Sequence, residues 1–152
     1  MAQQMSKQLL GTWRMLSWTR ELVGGSERSH AFGPSPQGTI TYTPDGRVVV
    51  LVVNRPRPMP SQVPPTPEEK IRLFDTVFAY SGTYSVEAAC VVHHIDASWN
   101  ELWTGSHQIR ICSLAGDRLT YRSPPAPDPL DGRDCVYTVE FEKVRPPASL
   151  AT

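Results

Sequence analysis

Eight short runs rich in Val, Ile, Thr, Tyr and Trp, separated by turn-forming residues at intervals of about ten, constrain this chain more than any other feature. They are Thr12 to Glu21, Gly38 to Thr43, Arg47 to Asn54, Phe78 to Val86, Ala89 to Ser98, Ser106 to Leu114, Arg118 to Ser123 and Cys135 to Val144. The spacing is that of an all-β antiparallel barrel or sandwich, and eight strands suffice to close a small barrel with room for one ligand. A chain of 152 residues fits one domain and can bury roughly two-thirds of its unfolded surface, so it needs no staples. No internal repeat or linker divides it. Residues 9–144 are expected to form a single β-barrel, after a short extension or helix over 1–8 and before a disordered tail over 145–152.

The joints carry their own chemistry. Thr43-Pro44-Asp45-Gly46 and Ala115-Gly116-Asp117 read as tight turns between strands, and Glu87-Ala88 as a weaker one. One short internal helix begins at Thr66-Pro67-Glu68-Glu69: Thr66 caps, Pro67 suits the first helical position, Glu69 completes a capping box, and the helix runs to about Val77. Before it, Asn54 to Pro60 and then Pro64-Pro65 form a proline-rich segment that cannot join a sheet. Together with the helix, this stretch is either a surface crossover or a cover over a barrel mouth. Pro124 to Asp131 is a second proline-rich loop.

Strand side chains alternate between faces, so each hairpin can be tested for an apolar side. With Glu87-Ala88 as the turn, Tyr84 faces Val91, Gly82 faces His93 and Tyr80 faces Ile95, while Ser81, Thr83, Ser85, His94, Asp96 and Ser98 share the other side. The first face belongs inside, which makes His93 an inward residue beside the space left by Gly82 and puts His94 on the surface. In the last strand Cys135, Tyr137, Val139 and Phe141 form the inner row. Both faces of the first strand are mixed, and Arg47 to Asn54 is aliphatic throughout, so its parity is unreadable. In the strand from Ser106, patterning places Ile109 and Ile111 inside, whereas a shift of one residue places Arg110 in the lumen, where a guanidinium can orient a carbonyl or carboxylate.

The 15 basic and 15 acidic side chains cancel, with no basic run, which removes the electrostatic footprint of a nucleic-acid or anionic-membrane binder. Cys90, Cys112 and Cys135 are an odd, scattered set without CxxC spacing, which argues against a disulfide framework or structural zinc. The start lacks a signal-peptide pattern, and no window approaches the roughly 18 apolar residues of a membrane span. A cytoplasmic setting is expected, and a homodimer is compatible with the sequence. His93 and His94 point to opposite faces, and His30 and His107 lack supporting carboxylates, so no metal is expected. No nucleophile elbow, phosphate loop or dinucleotide fingerprint appears, and no cofactor is implied.

Six stretches together, LxGTWRxxSW from Leu9, GTITYTPDGR from Gly38, PEEK from Pro67, AYSGTYSV from Ala79, VVHHIDAS from Val91 and GDRLTY from Gly116, resemble the lipocalin-like domain family, small calycin-type β-barrels. The resemblance runs from Leu9 to Lys143 and implies a lipocalin-like barrel around a ligand cavity. It also implies that Trp13, in Gly11-x-Trp13, closes the barrel base against a basic residue of the last strand, a place that Lys143 can fill by a cation over the ring. Calycin barrels serve both carriers and enzymes.

The candidate catalytic residues are His93, Tyr80 and Tyr84, with Tyr42, Trp99, Trp103, Arg110 and Tyr121 as substrate-binding residues. An apolar cavity with a few convergent polar groups suits an apolar small molecule. One expectation is a cofactor-independent cyclase or isomerase of secondary metabolism acting on a polyketide-like or terpenoid compound. In it His93, with an ordinary pKa near 6.5, moves a proton and a tyrosine holds an oxyanion. The alternative is a non-catalytic carrier or sequestering protein. Each of these residues also has a structural reading, as a core aromatic or a satisfied interior histidine.

Overall fold

A computed structural model describes residues 2–25, 27–128 and 131–147. The strands are β1 (Gly11–Leu22), β2 (Arg28–His30), β3 (Pro36–Tyr42), β4 (Arg47–Asn54), β5 (Val77–Glu87), β6 (Cys90–Ser98), β7 (His107–Ala115), β8 (Arg118–Arg122), β9 (Ala126–Pro127) and β10 (Asp134–Lys143). Helices α1 (Ala2–Leu9) and α2 (Pro67–Asp75) accompany them. Eight of the strands form one antiparallel barrel in the order β1-β3-β4-β5-β6-β7-β8-β10, closed by pairing of β10 with β1. The short β2 and β9, unanticipated from the sequence, add to β1 and β10 over three and two residue pairs respectively. Part of the expected tail, residues 148–152, lies outside the described residues, as does the middle of the second proline-rich loop at 129–130.

Closure at the base follows from the first and last strands. Trp13 pairs with Lys143, whose ammonium lies 4.6 Å from the indole centroid and donates to the Leu10 carbonyl. The Trp13 Nε1–H donates to Leu9 O at 2.9 Å, so α1 is tied to the same end. Trp13 and Leu9 are essentially inaccessible. Burial lowers the Lys143 pKa. One bulge in β1 explains why that strand has no readable face. Met15 pairs with Phe141 and Ser17 with Glu140, so Leu16 is an extra residue and the inward phase resets from Trp13 and Met15 to Trp18.

The β5–β6 hairpin turns at Ala88-Ala89, one residue later than Glu87-Ala88. Glu87 therefore pairs with Cys90, Val86 with Val91, and Tyr84 with His93. From Gly82 to Glu87 the correction displaces partners by two residues, which preserves their faces because strand side chains repeat with period two. Beyond the register shift, an extra β6 residue brings Ser98, expected on the outer side, opposite Tyr80. Gly82 consequently stands against Ile95 and not His93. Its role is steric, since a Cβ there would lie 2.0 Å from the His94 carbonyl oxygen, at the point where the hairpin register shifts.

The aliphatic strand β4 resolves through its neighbours: Val48, Val50 and Val52 are buried, while Val49 and Leu51 are about half exposed. Strand β7 takes the opposite parity from simple patterning. Ile109 and Ile111 face outward at 45% and 47% exposure, and Gln108, Arg110, Cys112 and Leu114 turn inward. Pairing imposes this, because inward Val91 and His93 of β6 lie opposite Arg110 and Gln108.

Candidate functional site

The barrel encloses a cavity of about 360 Å³ that opens at the end opposite Trp13, within the size range of small-molecule sites. Its upper wall is aromatic. Phe78 packs against Trp18, Trp99 and Trp103 with ring centroids 4.9, 4.6 and 5.1 Å apart, and Trp18 stacks on Phe32 at 5.2 Å. Trp99 and Trp103 thus line the cavity, at the rim where β6 passes into a single 3₁₀ turn. Helix α2 has the expected capping box between Thr66 and Glu69, and it ends at Asp75, two residues short of Val77. Phe74, Asp75 and Val77 border the mouth, so the crossover reaches the cavity edge. Arg57 fastens the proline segment to the helix end through Leu73 O and Thr76 Oγ1, both at 3.1 Å.

Below the aromatic wall lies a buried polar chain. Tyr80 Oη is 2.6 Å from His93 Nδ1, His93 Nε2 is 2.7 Å from Tyr42 Oη, and Tyr42 Oη is 2.5 Å from Tyr121 Oη. Alternation along β5, β6, β3 and β8 delivers these four inward residues from four strands. Tyr80, His93 and Tyr121 line the cavity, and Tyr42 sits behind them. Tyr84 stands outside the lining: its ring meets Tyr42 edge-on at 4.8 Å and its hydroxyl donates to Thr43 O at 3.3 Å.

Burial drives the electrostatics of this chain. The His93 pKa falls well below its ordinary value, through desolvation first and the Arg110 charge second. The imidazole is therefore neutral near pH 7, which replaces the expectation of a histidine titrating near 6.5 with a ring that donates at one nitrogen and accepts at the other. Tyr42, Tyr80 and Tyr121 are all raised by burial and stay protonated. Arg110, on the cavity wall, opposes the rise at Tyr80 chiefly by its charge. A neutral chain of one imidazole and three phenols carries four exchangeable hydrogens for three bonds, so one O–H is always left over. Shifting the histidine tautomer moves that spare hydrogen from the Tyr80 end to the Tyr121 end.

Sequence reasoning missed a second polar cluster on the same wall. Asp128, only 4% exposed, accepts from Arg20 at 2.6 Å and from the Tyr137 hydroxyl, while Arg20 also reaches Asp131 at 2.8 Å. The available signal was a lone carboxylate inside the uncharged, proline-rich start of that loop, which needs a cationic partner if the loop folds onto the barrel. Trp18 was hidden by the β1 bulge. On the outer face His94 contacts His107 at 2.6 Å and Ser85 at 3.1 Å, opposite in direction to His93. No group of three or more His, Cys, Asp or Glu positioned to hold a metal occurs among the described residues. The Cys112 thiol is pushed up to about 11 by burial, which disfavours the nucleophilic thiolate.

No helix among the described residues is long and apolar enough to cross a membrane. No curated protein matches the chain. A family model for the lipocalin-like domain matches residues 10–138, the whole barrel except the end of its last strand. With a closed eight-stranded barrel and a sealed base in agreement, the chain belongs to the lipocalin-like domain family.

Proposed function

We propose that this barrel takes up an apolar small molecule and rearranges it without a cofactor, as a cyclase or isomerase of polyketide-like or terpenoid secondary metabolism. The observation that carries the reading is the buried chain from Tyr80 through His93 and Tyr42 to Tyr121, with both terminal tyrosines on the cavity wall. Tyr80 gives its proton to an oxygen of the bound molecule and is refilled from His93 Nδ1–H. His93 Nε2 takes the Tyr42 hydrogen, Tyr42 takes that of Tyr121, and Tyr121 recovers one from a second heteroatom of the same molecule. Substrate and product then differ in the position of one proton, and no charge remains on the protein. A water exchanging hydrogens at both ends of the emptied site restores the starting polarity.

Trp99, Trp103 and Phe78 would hold the carbon skeleton in a reactive shape, and positioning of this kind removes several kcal/mol from a barrier. Arg110 would orient a carbonyl oxygen. Tyr84, behind Tyr42, would act as a positioning residue. Action in the cytoplasm fits three unpaired cysteines.

The test is to incubate purified protein with a metabolite extract and identify by mass spectrometry what is retained and whether it has changed. The reading expects a product of unchanged mass, lost in His93→Phe and Tyr80→Phe. A ligand recovered intact from all three proteins would establish a carrier instead.

A further inference from the structure

The lumen holds a guanidinium and hydrogen-bond donors that no described side chain is placed to neutralise. Arg110 turns inward onto the cavity, and among the described residues no carboxylate forms an ion pair with it. Its charge acts on the Tyr80 hydroxyl, which lines the same cavity. The buried acid on the wall, Asp128, is held by Arg20 and Tyr137, and Asp75 lies exposed at the rim. A second donor is the hydrogen left over in the tyrosine–histidine chain. A third is the indole N–H of Trp18, buried beside the cavity with no acceptor among the described residues. A guanidinium in an apolar enclosure is costly unless paired, and an unmet buried donor costs as well.

We infer that the natural ligand is an apolar molecule bearing one anionic oxygen group of carboxylate type, for which Arg110 is the counter-ion and the Tyr80 hydroxyl a neighbouring donor. The inference rests on the reading that the cavity houses a small molecule and adds the charge of that molecule. The planar guanidinium fork can take both oxygens of such a group. The aromatic wall of Phe78, Trp99 and Trp103 then receives the hydrocarbon.

The experiment uses decanoate, decanol and methyl decanoate as probes of matched chain length, titrated calorimetrically into the intact protein near neutral pH. Decanoate should bind at least about tenfold more tightly than either uncharged probe, the scale expected of a charge-assisted hydrogen-bonded pair. Arg110→Met should abolish that preference, with decanoate binding no more tightly than decanol or methyl decanoate. Equal affinity of the three probes for the native protein overturns the inference without touching the cavity reading, and so does a preference that survives Arg110→Met. If no probe binds, the cavity reading falls with it. The native protein's ranking decides the matter even if the variant fails to fold.

Discussion

Acidification from about pH 7.5 to about pH 5 should destabilise the protein through one side chain in particular, His93, because burial holds its imidazole neutral in the folded state. At 1% exposure, with a tyrosine on each ring nitrogen, the folded imidazole has no room for a hydrated proton. The unfolded chain protonates this histidine with an ordinary pKa near 6.5. The unfolded state therefore binds more protons below that value, and stability falls as pH drops from about 6.5 towards the depressed folded pKa. Over roughly 1.5 pH units at about 1.4 kcal/mol each, the loss is about 2 kcal/mol.

His93→Gln keeps one donor and one acceptor but cannot titrate, so the pH-dependent difference between the two proteins isolates the imidazole. The carboxylates held low by partners, Glu69, Asp96 and Asp131, lose their contribution only at more acid pH, and do so in both proteins. Urea titrations followed by tryptophan fluorescence at each pH supply the free energies. Parallel losses in wild type and His93→Gln would refute the argument, since they would mean that the folded state accepts the proton.

Two further expectations concern packing. Gly82→Ala forces a methyl group to within 2.0 Å of the His94 carbonyl and should cost about 2 kcal/mol, read as a fall of about 5 °C in Tm; an unchanged melt would show that the β5–β6 register is not as described. Arg20→Met strips the ion pair from buried Asp128 and should cost roughly 3 kcal/mol in a urea titration, partly recovered by adding Asp128→Asn. A loss under about 0.5 kcal/mol would count against a charged Asp128.

Periodicity reports that two faces of a strand differ, and it names the inner one only where the lumen is apolar. In β10 the row Cys135, Tyr137, Val139 and Phe141 lies inward, as patterning suggests. In β7 the rule inverts, because the cavity takes Gln108 and Arg110 while Ile109 and Ile111 face out. The hairpin turn lies one residue later than expected, yet His93 and Tyr84 keep their parity because a two-residue displacement leaves faces unchanged, and Tyr80 keeps its own because the extra residue at the register shift lies in β6. The tyrosines drawn together by His93 could be chosen by type and face, but Tyr42 and Tyr121 meet only because β3 and β8 lie across the barrel from each other. That is a property of closure, and no local window contains it. Asp128 and Arg20 are separated by 108 positions and escape local reading for the same reason.

The extra residue at Leu16 divides β1 into two segments with independent phase. The lower one carries Trp13 to the seal and the upper one carries Trp18 to the cavity, though five positions, an odd interval, separate the two tryptophans. Without the offset, a strand that sealed the base would aim Trp18 at solvent. A single inserted residue thus uncouples the closure of the barrel from the shape of its contents, so that a change at Trp18 alters what the barrel holds without reopening the end sealed by Trp13.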